Sequence, residues 1–323
     1  MKRKVTLTVG QWVDLTFEQI CAAAESMGFD GLELSFKSVV DLEKASRDLN
    51  YCEQIRDVMK KHNLDSWAIS SHAIGQCVGD LYDKRLDIFI PEHLRGKPDE
   101  IRKWAIDSMM KVPAAAKNLS CPIVTTFMGS PIWKYFYSFP TTTQQMVEEG
   151  FDEIAVLWKP ILDEFKRCGV SFAFEVHPSE IAFDYYTTCK LIEKLGRHEA
   201  FGINFDPSHL VWQGVDPVLF IRDFAPYIRH VHMKDVAVRK DGRSGILGSH
   251  LPFGDSRRGW NFRSVGRGDV DFEEIIRALN EISYKGPLSV EWEDNDMDRY
   301  HGAKESLEFI RKLEFPASEI KWL

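Results

Sequence analysis

Four side chains suited to holding a cation stand at matching places in the second half of the chain, each closing a short apolar run. "SFAFEVHP" delivers Glu175, "FGINFDPSHL" delivers Asp206, "IRHVHMKD" delivers His232 and "LSVEWED" delivers Glu291. A buried carboxylate is costly unless hydrogen bonds or an opposite charge compensate it. Three carboxylates and one imidazole make an oxygen-rich set, which suits a hard divalent cation. Mn(II) fits best; Mg(II), Co(II) and Zn(II) are the other ions such a set accepts. Four protein ligands leave room in an octahedral shell for substrate oxygens.

Weaker candidates surround these four. His72 closes the run "SWAISSH", and His177 lies two residues after Glu175 on the same face of an extended chain. Lys234 stands in the same relation to His232, because side chains alternate along a strand. Each of the three is a candidate substrate contact. Glu33, inside "GLELSF", is a candidate for contacting substrate or supporting a ligand. Trp12 is read as an apolar wall for a substrate ring or as core. Arg258, Trp260 and Arg263 are candidate lid residues.

The elements that would carry these residues alternate. β-rich runs are expected at 5–12, 31–36, 66–72, 123–129, 170–177, 201–206, 228–235 and 287–294, with amphipathic stretches between them. Near-continuous apolar runs are what parallel strands covered on both faces require. Thr16 and Gln19 have capping-box spacing before one helix, which closes at Gly28. Pro113 and Pro160 are expected to break or interrupt theirs. Strand–helix units in this number point to an α/β fold, a single (β/α)8 barrel over residues 1–323. No glycine-rich phosphate loop follows the first strand, which argues against a nucleotide-binding open sheet. The connection after the seventh strand, 236–270, is unusually long and carries Trp260 and Phe262. It reads as a lid or docking loop.

The formal charge of −8 offers no broad attraction to nucleic acid or to an anionic membrane. Six cysteines form no CxxC pair, which suits free thiols in a reducing cytoplasm. The N-terminus makes a poor signal peptide and no apolar run approaches a membrane span. A cytoplasmic protein is expected, with a homo-oligomer or a small partner subunit as the assemblies open to it.

The motifs "EVHP", "FDPSHL", "HVHMKD" and "SVEWED" together resemble the xylose-isomerase-like barrels, over nearly the whole chain. That group includes sugar phosphate isomerases/epimerases, ketose 3-epimerases, inosose dehydratases and the α subunits of C-glycoside deglycosidases. The resemblance implies a divalent metal at Glu175, Asp206, His232 and Glu291, with His209 on the substrate. It also implies that Glu175 and Glu291 stand on opposite faces of the reacting carbon, one taking a proton and the other returning it. Arg239 lies near the substrate arginine of the ketose 3-epimerases. Their extra substrate glutamate falls here on Ile181, and the histidine expected of the deglycosidases after the fourth strand is absent from "GSPIWKYFYSFP", which has Lys134. The implied activity is a metal-dependent sugar isomerase or epimerase working through a metal-stabilised enediolate. The alternative is a lyase that eliminates a group β to the carbonyl of a 3-oxo-sugar or 3-oxo-glycoside.

Overall fold

The computed structural model describes residues 2–248 and 250–318. Eight parallel strands form a closed barrel. They are β1 (Val5–Thr8), β2 (Gly31–Ser35), β3 (Asp65–Ser70), β4 (Ile123–Thr126), β5 (Ser171–Glu175), β6 (Phe201–Phe205), β7 (Ile228–Met233) and β10 (Leu288–Val290). Their order is β1-β10-β7-β6-β5-β4-β3-β2. A separate antiparallel pair, β8 (Asp235–Val238) and β9 (Trp260–Arg263), lies in the long connection after β7. The expected loop at 236–270 therefore contains a hairpin. Its strands register Asp235 with Arg263 and Val238 with Trp260.

The chain divides into two compact units. The first holds residues 1–33, 59–65 and 205–323. Within it β1 pairs with β2 and β10, and β10 pairs with β7, setting Ser289 opposite His232. Alternation sorts these strands. Val231, Met233, Leu288 and Val290 are buried on one side. Thr6, Glu33, His230, His232 and Ser289 form a buried polar face on the other. That polar face is held by side-chain bonds, including Thr6 Oγ1 to Ser289 Oγ at 3.0 Å.

The second unit holds residues 34–58 and 66–204. Its strands β3, β4, β5 and β6 pair in sequence order, with Glu175 opposite Asn204. Its core is aromatic. Phe172 is fully buried, with Trp158 and Phe165 each at a ring distance of 5.3 Å and Phe201 at 6.0 Å.

Several local expectations change. Helix Pro98–Met109 does stop before Pro113, which sits in the first turn of helix Val112–Asn118. Helix Gln144–Cys168 runs through Pro160 without interruption. The carbonyl four residues back belongs to Val156, which is 73% exposed, so water can replace the lost bond. The first strand ends at Thr8, where a turn closes from Trp12 N to Val9 O. The last ends at Val290, before the turn-forming run Asp294–Asn295–Asp296. No helix among the described residues is long and apolar enough to cross a membrane. Five cysteines are buried, Cys189 is exposed, and all six are thiols.

The aromatic core gives a direct test. Phe172→Ala should cost about 3–5 kcal/mol, because the facing rings cannot collapse into the space. Urea unfolding followed by far-UV circular dichroism measures it; a cost below about 1 kcal/mol would contradict this packing.

Candidate active site

In the first unit the C-terminal ends of three strands carry charge. Asp206 directly follows β6 and caps helix Pro207–Val211. Its Oδ1 accepts from Ser208 N at 2.8 Å and from Ser208 Oγ at 2.7 Å. Its Oδ2 lies 3.3 Å from His209 Nε2. His232 sits on β7, with Nδ1 3.2 Å from Glu291 Oε2. Glu291 continues the ladder one residue past β10, its amide donating to Met233 O.

Lys234, one residue past β7, enters this group. Its Nζ lies 2.7 Å from Glu293, 3.2 Å from Glu291 and 3.8 Å from Asp206, and it stands over the Phe262 ring at 4.2 Å. Three carboxylates meet one ammonium, which leaves two negative charges over. Asp206 and Lys234 have almost no exposed side chain, and Glu291 has 16%. Carboxylates crowded out of water at this density favour a divalent cation, which offsets the excess. Gln11 spans the outer pair, its Nε2 reaching Glu291 at 3.1 Å and Glu293 at 3.3 Å.

Behind His232 lies Glu33. Its Oε2 is 3.0 Å from His232 Nε2 and 2.8 Å from His230 Nε2, and it accepts from Ser289 Oγ at 2.8 Å. Burial alone would raise the Glu33 carboxyl. The two imidazoles outweigh it and hold Glu33 well below the usual carboxylate range. An ionised Glu33 can only accept, so His232 Nε2 carries a hydrogen, and the ring turns its Nδ1 toward Glu291. Glu33 therefore contacts two histidines and a serine, which favours the supporting one of its two expected roles. Glu33, His230 and His232 also group as potential metal ligands. Their donor atoms are occupied by one another.

In the second unit Glu175 ends β5 and is buried. Its Oε2 is 2.9 Å from His72 Nε2 and accepts from Asn204 Nδ2 at 2.9 Å. His72 opens helix His72–Gly79 and does not end a strand; Ser70 Oγ, 2.7 Å from its Nδ1, fixes the ring. Phe127 packs between two imidazoles, at 4.5 Å from His72 and 5.0 Å from His177.

Other expectations fare unevenly. Trp12 is fully buried against Arg299 and Tyr300, so it is core and not an open wall. Arg258 is also buried, at 2% exposure. It lies over Phe253 and Trp260 and donates to Leu251 O at 2.7 Å. It pins the loop from within, its charge lying against two rings and a carbonyl. Trp260 stacks on Trp212 at 4.6 Å and donates to Ile246 O. Arg263 pairs with Asp296 at 3.1 Å and Asp294 at 3.5 Å, at the base of the hairpin. Arg239 is exposed, and its amide closes the hairpin on Gly259 O; the buried group around Asp206 does not include it. Sequence reading passed over Gln11, Asn204, His230, Ser289 and Glu293. Four of these, Asn204, His230, Ser289 and Glu293, lie two residues from a named ligand, so strand alternation already marked them.

Residues 21–313 match the family model described as xylose isomerase-like TIM barrel. The chain belongs to that family. It is 25% identical over 316 residues to an uncharacterized protein of Bacillus subtilis, YfiH, covering 92% of this chain and 95% of that one. It is 26% identical over 168 residues to the inosose dehydratase of Clostridium perfringens, covering 52% of this chain and 53% of that one. The probable 3-DHS dehydratase AsbF of Bacillus anthracis superposes with a TM-score of 0.68 at 18% identity, over 95% of this chain and 98% of that one. The 3-keto-D-glucoside 4-epimerase YcjR of E. coli does so at 0.68 and 14%, over 96% and 100%. At these identities the two structures speak for the fold.

The grip of Glu33 on His232 has a direct signature. Nitrogen-15 NMR of the metal-free protein should show hydrogen on His232 Nε2, as the single Nε2–H tautomer wherever the ring is uncharged. Glu33→Gln should lose that single-tautomer population. An unchanged tautomer in the variant would remove Glu33 from the role.

Proposed function

We propose that this protein is a divalent-metal-dependent enzyme that removes a proton next to the carbonyl of a polyhydroxylated ketone, and that its first reaction is isomerisation or epimerisation of a sugar. The observation that carries the reading is the surplus negative charge around Asp206, Glu291 and Glu293 beside a histidine whose Nδ1 is turned toward it. Glu175, Asp206, His232 and Glu291 would hold the ion. The strand register supports including Glu175. It pairs with Asn204, and Asn204 stands two residues before Asp206 on the same face. The ion would supply Lewis-acid stabilisation of the negative charge that develops on the substrate oxygens. With oxygen donors and one imidazole, Mn(II) suits the set, and Mg(II) is next.

The side chains divide the work. Glu291 is the more accessible glutamate and takes the proton. Lys234, 3.2 Å away, keeps it ionised and offers a charged hydrogen bond to a substrate oxygen. Glu175, fixed by His72 and Asn204, stands ready to return a proton on the opposite face, which inverts the carbon. His209 and His177 are the remaining candidates for substrate hydroxyls. The pinned hairpin would cover the bound sugar and limit water.

A second reading has its own support. The inosose dehydratase likeness favours elimination, in which the same proton abstraction is followed by loss of a hydroxyl β to the carbonyl. His72 or His177 would then protonate the departing oxygen.

One experiment separates the outcomes. The Mn(II)-loaded protein in D2O is given keto-sugars, inososes and 3-oxo-glycosides, with mass spectrometric readout. Deuterium in a product of otherwise unchanged composition supports epimerisation, and loss of water or of an aglycone supports the lyase. Glu291→Gln should lower either rate by about 10²–10⁴-fold. No exchange and no elimination with any of these substrates, in protein shown to bind metal, would sink the proposal. Glu33→Gln should weaken Mn(II) binding by about 10–100-fold, read by isothermal titration calorimetry without substrate.

A further inference from the structure

Away from the ligand group, the second unit buries a pair of carboxyls that the chemistry above leaves unused. Glu180 is fully buried. Its Oε2 accepts from Met128 N at 2.8 Å and Gly129 N at 2.6 Å. Asp80, directly after helix His72–Gly79, takes the next amide, with Oδ1 accepting from Ser130 N at 2.7 Å. Two carboxyls thus hold three successive amides of the loop that follows β4. The same loop is tied by Trp158 Nε1 donating to Met128 O and by Ile181 N donating to Gly129 O.

The loop has no slack. A methyl group at Gly75 would sit 2.2 Å from Phe127 O, and one at Gly129 would sit 2.4 Å from Gln76 O, where φ is also +73°. Ser179, next to Glu180, holds φ at +102°, a conformation that persists only when its surroundings over-determine it. Phe127 opens this loop, and its ring separates His72 from His177.

We infer that Glu180 and Asp80 act as a paired-carboxyl clamp that fixes the loop Phe127–Ser130 and, through the Phe127 ring, sets the positions of His72 and His177. These are positioning residues, and the clamp bears on the proposed function only through those two histidines. Its charge state matters because two ionised carboxyls cannot share so enclosed a place cheaply. Burial, then the charge of Asp80, push Glu180 up to about 8; burial pushes Asp80 up to about 6. The Gln76 amide, which faces both, lowers both by less. Arg85 lowers Asp80 and Asp83 raises it, and Lys134 lines the same shallow pocket. Glu180 Oε1 is buried without a well-formed hydrogen bond, a place for a shared proton. Both folded-state pKa values lie above their unfolded ones, so the stabilisation is complete in acid. It is lost as pH rises through about 6 to 8.

The test compares wild type, Glu180→Gln, Glu180→Ala and Asp80→Asn in the full chain from pH 6 to 9.5. Melting temperature and the imidazole NMR signals of His72 and His177 are recorded. Glutamine keeps an acceptor for the two amides and cannot ionise. Its melting temperature should therefore fall less than that of wild type above pH 7, and its two histidine signals should lose the shift that wild type shows near pH 8. In Asp80→Asn that shift should move to lower pH, because the charge that opposes Glu180 ionisation is gone. Glu180→Ala should displace both histidine signals at every pH. The clamp is overturned if Glu180→Gln follows the wild-type pH dependence, or if Glu180→Ala folds with both signals unmoved. Metal titration of the same samples reads the proposed function separately. Protein that binds no ion yet keeps the pH-dependent shift retains the clamp and loses the metal chemistry.

Discussion

The organisation of the site depends on excess negative charge kept away from water. Asp206, Glu291 and Glu293 lie around a single ammonium, that of Lys234, and each is within 4 Å of it. An apolar interior could not hold such a group; the repulsion and lost hydration would separate the strands. The fold meets the problem with strand ends, where backbone bonding stops and carboxylates can turn toward one another. It also surrounds each group with donors of fixed geometry. Asp206 takes two from Ser208, and Gln11 bridges Glu291 to Glu293. Three carboxylates against one ammonium still leave the group acidic, the balance that a divalent cation would suit.

The polar face behind the site follows from the same constraint. Glu33 would be an expensive carboxylate if it were alone. It is tolerated because His230, His232 and Ser289 all point at it. This bonding couples the floor of the first unit to its chemistry. The carboxylate that completes the polar floor also decides which nitrogen of His232 faces Glu291. Support and reactivity are set by one contact, so a change at Glu33 would be felt at both.

How much of this was legible in the sequence depended on whether the signal was periodic. The barrel was legible because apolar runs and amphipathic helices repeat with lengths that only strand–helix units explain. Asp206, His232 and Glu291 were legible because each polar residue interrupts an apolar run at the same place. The partners were less so. Glu33 sits in mid-strand, and its type alone does not say whether it faces substrate or histidine. Trp12 and Arg258 carry groups that suit a sugar site, yet both are buried, Trp12 by long-range packing against Arg299 and Arg258 by the rings and carbonyls of its own loop. The continuity of the helix through Pro160 turned on the exposure of Val156, a tertiary fact. The hairpin of β8 and β9 was hidden in a glycine- and arginine-rich stretch with little β-propensity. Its strands are held by Asp235, whose carboxylate accepts from Gly266 and Gly268, and by the Trp212–Trp260 stack.

Asp235 and Glu180 show a common device. Each is a buried acid that bonds to backbone amides of a loop carrying functional residues, and burial raises the pKa of both. They differ in how fully those amides offset the burial. Asp235 gathers the amides of Val236, Gly266, Gly268 and Val270, enough to satisfy an ionised carboxylate in a turn. Glu180 has two amides on one oxygen, a neighbouring acid, and no well-formed bond on the other. The first arrangement tolerates charge and makes a permanent staple. The second favours the neutral acid, so the same residue type that fixes one loop across the pH range leaves the other dependent on a proton.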